Sequence, residues 1–170
     1  MSNNEDILDI LHQRDQAQTN LTPGRKEEKL RLLVFRLADE WYGLDATQIQ
    51  EISRVNQITR LPLTPAYVLG LVNLRGAITG VIDIRSTLNL PQAQLEDSAR
   101  IIVTYHDALE VGLIAEAVIE VVETTPSALQ PPLLTPGGES GKFSTALLYL
   151  KDDVPVTVLD LPALLEKLKV

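Results

Sequence analysis

The side chains that usually carry chemistry are scarce in this chain and poorly placed for it. There are two histidines, His12 in a polar opening stretch and His106 beside an expected hairpin turn. Neither has a partner at metal-ligand spacing. Cysteine is absent, which excludes disulfides and thiolate metal sites. The serines lie in loops without a G-x-S-x-G elbow. Neither phosphate-binding glycine pattern occurs. Gly137-Gly138-Glu139-Ser140-Gly141-Lys142 comes nearest, but it carries an acid and does not lead a strand into a helix, so it reads as a flexible loop. Carboxylates are plentiful, yet none visibly pairs with another in a core. The expectation is a protein that is not an enzyme, with no catalytic residue, metal or cofactor.

One charged position does stand out. Arg75 sits at the tip of LGLVNLRGAITGVIDIRSTL, Leu69 to Leu88. Two apolar runs, Leu69–Leu74 and Ile78–Ile84, flank the turn Arg75-Gly76-Ala77, and Gly76 can take the positive φ of a tight hairpin. Both runs are rich in Val, Ile and Leu, as strands buried on both faces are. The stretch therefore predicts a hairpin pushed deep into a core. Arg75 is at its tip, and Asp83 is near its far end before a helical turn. On these residues alone, an ordinary core hairpin with a solvated arginine accounts for the pattern.

Bulk properties narrow the partners. The 170 residues are 45% hydrophobic and carry a formal net charge of −8. That is enough chain for one domain or two small joined units, with a sizeable core. The acidic balance argues against nucleic acid or an anionic membrane as partner. No apolar run approaches the roughly 20 residues of a membrane helix, and acids stand where a signal peptide has bases. The expectation is a cytoplasmic protein without direct membrane insertion. Residues 1–29 read as a polar tail broken by Pro23-Gly24. Ile7, Leu8 and Leu11 could line one face of a short helix there, as a docking peptide or only a solubilising segment.

The folded part, 30–168, reads mainly as short strands. Leu33, Phe35 and Leu37 alternate with Val34 and Arg36. Asp39-Glu40 turns the chain, and 41–44 returns. Residues 46–52 read as a short helical segment, with Ile49 and Ile52 on one face and Glu51 elsewhere. Thr64 and Pro65 suit the cap and first position of a helix. A polar crossing, 89–99, leads to strands at 100–105 and 109–114. Residues 117–122 fit either a strand or a helical turn. Thr125–Lys142 is Pro- and Gly-rich and reads as a long irregular loop. A last hairpin around Lys151-Asp152-Asp153 precedes a helix capped by Asp160, with Leu161, Leu164, Leu165 and Leu168 on its buried stripe.

The chain also repeats itself. Leu32–Ile52 aligns with Ile101–Val121 at one constant offset, which sets Val34 on Val103, Gly43 on Gly112, Ala46 on Ala115 and Glu51 on Glu120. Gly80–Leu88 lies against Val156–Leu165, with Asp83 on Asp160. Two halves of about five short strands suggest two small barrels, the first over 30–88 and the second over 100–168, with strand exchange between them open.

These blocks resemble a known family. LLVFRLADEWYGLDATQIQEI followed by TPAYVLGLVNLRGAITGVIDIR is similar to the CheW-like domain, a chemotaxis coupling fold. Its hallmark stands here as Gly70-Leu71-Val72-Asn73-Leu74-Arg75-Gly76-Ala77-Ile78 through Val81-Ile82-Asp83-Ile84-Arg85. The resemblance implies two intertwined five-stranded SH3-like barrels with short helical segments and a C-terminal helix. It implies a non-catalytic adaptor, monomeric when free, between a methyl-accepting chemoreceptor's cytoplasmic tip and a chemotaxis histidine kinase's own CheW-like regulatory domain. The adaptor would reach membrane receptor arrays through those partners. The chain has no room for kinase or receiver domains, so the free-standing form is expected. Ile49, Glu51, Ile52, Gly70, Asn73 and Arg75 map onto the receptor- or kinase-binding positions, with Glu51 and Arg75 paired. A generic twin-barrel scaffold in another signalling complex is the alternative.

Overall fold

The computed structural model describes residues 28–133 and 139–169. Nearly all of the expected tail and part of the Pro-rich loop thus lie outside the described residues. Among the described residues, ten strands and one short α-helix follow in order: β1 Leu30–Leu37, β2 Glu40–Asp45, β3 Ile49–Arg54, β4 Val68–Leu74, β5 Ala77–Ile82, β6 Arg100–His106, β7 Leu109–Ala115, β8 Ala117–Thr124, β9 Ser144–Tyr149, β10 Pro155–Leu159 and α1 Leu161–Lys167. They make two five-stranded sheets, ordered β8-β1-β2-β10-β9 and β3-β6-β7-β5-β4.

The sheets do not follow the two halves of the chain. Each takes two consecutive strands from one half and three from the other, so the segments 30–88 and 100–168 each contribute to both. The crossings occur at the 3₁₀ turn Ala46–Gln48 and at Glu116, whose N–H donates to the Arg36 carbonyl at 3.0 Å. The chain that follows one edge strand of each sheet then bridges to the other edge. After β3, Thr59 exchanges two 2.8 Å backbone hydrogen bonds with Leu71 on the outer side of β4. After β8, Gln130 does the same with Leu147 on β9. These isolated bridges from the chain's own continuation cover part of the edges on which other strands could pair.

Three apolar clusters fill the structure. Leu32, Val34, Ala146, Leu148, Val156 and Val158 fill the first barrel. Val72, Leu74, Val81, Ile101, Val103 and Ile114 fill the second. The largest cluster lies between the sheets and includes Leu33, Phe35, Leu37, Ile102, Leu113 and the α1 leucines. β1, β6 and most of β7 are therefore buried on both faces, because one face lines a barrel and the other faces the shared core. This corrects the expectation for the 69–84 hairpin. Its inner half is buried, but its tip stands out, with Ile78 72% exposed.

The duplication extends to details. Gln50 is the extra residue of a bulge in β3, and Ile119 occupies the matching bulge in β8. Gly43 and Gly112 also match. A Cβ on Gly112 would meet Ile101 Cγ2 at 2.7 Å, and one on Gly43 would meet Val156 Cγ1 at 3.2 Å. Both positions face barrel interiors, tightly at Gly43 and with no room for a side chain at Gly112.

Two local expectations are corrected. Only Ala46–Gln48 is helical in the 46–52 segment, because Asp45 caps a single turn by accepting from the Thr47 N–H at 2.9 Å. Ile49 onward pairs with β6. Thr64 caps no helix. Its hydroxyl donates to the Leu61 carbonyl, and the chain makes one turn closed by Val68 N–H to Pro65 C=O. The C-terminal helix matches its expectation. Asp160 accepts from the Ala163 N–H at 3.1 Å, and Leu161, Leu164, Leu165 and Leu168 are buried. The Tyr67 hydroxyl donates to the Leu168 carbonyl at 2.5 Å, which ties the helix end to the start of β4.

Candidate interaction site

The β4–β5 turn is built by its sequence. Arg75 and Gly76 both have positive φ, +51° and +82°, the type I′ geometry of a two-residue hairpin loop. Glycine takes this conformation freely. Arginine does not, and Asn73 supports the turn by accepting the Gly76 N–H on its side-chain oxygen at 3.0 Å. The turn leaves the Arg75 side chain 84% exposed, with its Nε 3.7 Å from a Glu51 carboxylate oxygen. Glu51 lies on β3, the opposite edge strand of the same sheet. The pair therefore spans the seam of one barrel.

The remaining candidates divide by role. The Gln50 bulge places Ile49 opposite Thr104 and Ile52 opposite Ile102, so both point to one side of the sheet, away from Glu51. The expected grouping stands, but a bulged strand produces it rather than a helix. Ile49 packs on the shared core, while Ile52 is 43% exposed. Gly70 is buried and has φ +141°; a Cβ there would sit 2.2 Å from the Thr59 carbonyl oxygen. Its place beneath the barrel closure gives it a structural role and no surface of its own. Arg75, Glu51, Asn73 and Ile52 are the members that offer side chains near the surface.

Sequence reading missed three exposed apolar residues at this end of the second barrel: Ile78, Leu109 and Tyr105. Ile78 was counted into a buried run. The signal was its position opposite Asn73, where alternation with the buried Thr79 and Val81 points it outward. A shallow groove of about 460 Å³ lies beside it, lined in part by Asn56, Thr59, Leu71 and Asn73.

Sequence reading also gave no buried charge cluster. Arg85 is 4% exposed and clasps Asp83 at 2.8 and 3.0 Å. Its other arm donates to the Glu116 carboxylate at 2.7 Å and to the Ala93 carbonyl at 3.0 Å. These hydrogen bonds, Asp83's first among them, hold the guanidinium pKa above its usual value. The cluster joins the end of β5, the crossing segment and the β7–β8 corner. It is closed to partners.

Among the described residues there is no group of His, Cys, Asp or Glu that could hold a metal, and no helix long and apolar enough to cross a membrane. The second barrel offers exposed apolar side chains on two hairpins, with the Arg75–Glu51 pair at its seam. That is the anatomy of a docking module, a class that binds other proteins through side chains on a rigid β scaffold.

Comparison with known proteins gives the family. The chain belongs to the CheW-like domain family, which it matches over residues 31–169. It is 34% identical over 100 residues to the chemotaxis protein CheW of Bacillus subtilis (strain 168), an alignment that covers 59% of this chain and 64% of that one. The probable chemotaxis protein CheW of Rhizobium etli is 29% identical over 148 residues, covering 87% of this chain and 92% of its own. Among solved structures, the scaffolding protein TtCheW of Thermoanaerobacter tengcongensis superposes with a TM-score of 0.72 at 30% identity, covering 79% of this chain and 86% of its own. The chain thus spans less than two thirds of the length of the Bacillus subtilis relative.

Proposed function

We propose that this protein is a non-catalytic adaptor that couples a methyl-accepting chemoreceptor to a chemotaxis-type histidine kinase. In this reading it acts in the cytoplasm and joins receptor arrays through its partners. The observation that carries the reading is the second barrel's exposed tip. Arg75, Glu51, Asn73 and Ile52 present a charged pair and apolar surface on a chain whose family is that of chemotaxis scaffolds. The proposed partners are the receptor's helical cytoplasmic tip and the kinase's own CheW-like regulatory domain.

The test is a binding titration of the purified chain against each partner separately, followed by co-sedimentation with both. Transient signalling interfaces often bury less than roughly 1,200 Å², so complexes in the micromolar range are expected. Kinase and receptor fragment should co-sediment only when the chain is present. If neither partner binds at tens of micromolar, the coupling role is wrong and a scaffold in another signalling complex becomes the better reading.

A further inference from the structure

The two barrels differ in charge at one matched cross-strand pair. In the first, Arg31 on β1 lies directly opposite Glu123 on β8. The Glu123 carboxylate also meets the Lys29 ammonium at 2.7 Å. The offset that sets Glu51 on Glu120 also sets Arg31 on Arg100 and Arg54 on Glu123. In the second barrel, therefore, Arg54 on β3 lies directly opposite Arg100 on β6. Like charges in that relation oppose strand pairing. Among the described residues, neither guanidinium forms an ion pair. Arg100 is half-buried, and one of its terminal nitrogens donates to the Asp97 and Ala99 carbonyls at 2.9 and 2.7 Å. Those bonds anchor it at the start of β6 and leave its other N–H groups unused.

Both arginines line one pocket of about 520 Å³ between the end of β3 and the crossing segment. Val55 and Leu95, which also pack on the core of the second barrel, give the pocket an apolar wall. We propose that this pocket binds a small monocarboxylate, its carboxylate group held between Arg54 and Arg100 in the role that Glu123 plays in the first barrel. Planar guanidinium forks match the two oxygens of a carboxylate. One negative charge suits the site better than a dianion, because Glu96 and Asp97 also line the pocket and offset the two arginines. The short apolar body of the ligand lies against Val55 and Leu95. The pocket shares no residue with the Arg75–Glu51 seam, and the proposal does not depend on the adaptor reading.

The test is an NMR titration of the full chain with butyrate, set against butyramide as its neutral isostere and sulfate as a dianion, all at constant ionic strength. Butyrate should shift the amide signals of Arg54, Val55 and Arg100 saturably in the millimolar range. Butyramide and sulfate should each bind at least tenfold more weakly. Arg54→Glu recreates the pairing of the first barrel, so the protein's own carboxylate takes the place of the ligand. That variant should melt at or above the wild-type temperature and lose at least tenfold in butyrate affinity. Arg54→Gln, which removes the charge and adds no acid, should lose affinity as well. Arg60→Gln, at an exposed arginine outside the pocket, should bind butyrate as wild type does. No saturable shift in the wild type, equal binding of butyramide, or wild-type affinity in either Arg54 variant would each overturn the site. Tighter binding of sulfate than of butyrate would overturn the carboxylate assignment.

Discussion

Removing the Arg85 guanidinium would leave Asp83, 2% exposed, and Glu116, 11% exposed, as uncompensated negative charges. Breaking a buried pair from one side typically costs about 3–5 kcal/mol, so Arg85→Met should lower the urea-unfolding free energy by that much. A loss below about 1 kcal/mol would mean that water enters the cluster freely. Arg75 makes the opposite case. An exposed pair contributes only about 0–1 kcal/mol, so Arg75→Ala should leave the melting temperature in place yet weaken receptor binding, because interface charges set docking register. Unchanged binding at physiological salt would remove Arg75 from the site. Tyr42 gives a pH dependence. Burial, then its 2.6 Å hydrogen bond to Glu40, raises the phenol pKa far above its usual value. The unfolded chain releases this proton from about pH 10 while the folded chain keeps it, so stability is fully present below that pH and falls above it, by up to about 1.4 kcal/mol per pH unit. Tyr42→Phe should flatten that alkaline slope in denaturant titrations, and an unchanged slope would show that other groups set it. At this scale the sequence was readable where turn chemistry speaks. Arg75-Gly76 announced a tip, whereas nothing in the pattern around Arg85 marks it as buried.

Gly70 is where one element closes upon another. Alanine there would combine a φ of +141° with a 2.2 Å approach to the Thr59 carbonyl. Gly70→Ala should therefore cost at least about 2 kcal/mol and expose the Thr59 and Leu71 amides to rapid hydrogen exchange. Wild-type protection at those amides would show that the closure tolerates a side chain. The helix α1 contributes more. Deleting 161–170 removes four buried leucines, each typically worth about 2–5 kcal/mol, against a total stability of roughly 5–15 kcal/mol. The truncated chain should not fold, and a melt within a few degrees of full length would make the helix peripheral. Most strands were visible as alternation. β3 was read as helical for a physical reason: the Gln50 bulge puts Ile49 and Ile52 three apart on one face, which is also the spacing of a helix face. The 69–84 hairpin shows the converse limit. Its apolar run was plain, but composition does not tell a residue facing a core from one facing a docking surface.

Across the whole molecule, the duplication was legible because Gly43 and Gly112, or Glu51 and Glu120, match in type and order. Periodicity alone left the exchange of strands open, because it says which residues face inward but not which sheet encloses them; the intertwining came from the family resemblance. The order in which the strands appear during synthesis follows from that exchange. The second sheet has all five strands once the chain has been made through Ala115, whereas the first waits for Leu159. Until then β1 and β2, which are made first, lack one or more of β8, β9 and β10, and Leu32, Leu33, Val34 and Phe35 have no finished core to enter. At about 5–20 residues per second, the later-folding barrel is the one whose strands leave the ribosome first. Its two earliest strands spend seconds as an apolar hairpin that is vulnerable to capture by another nascent chain.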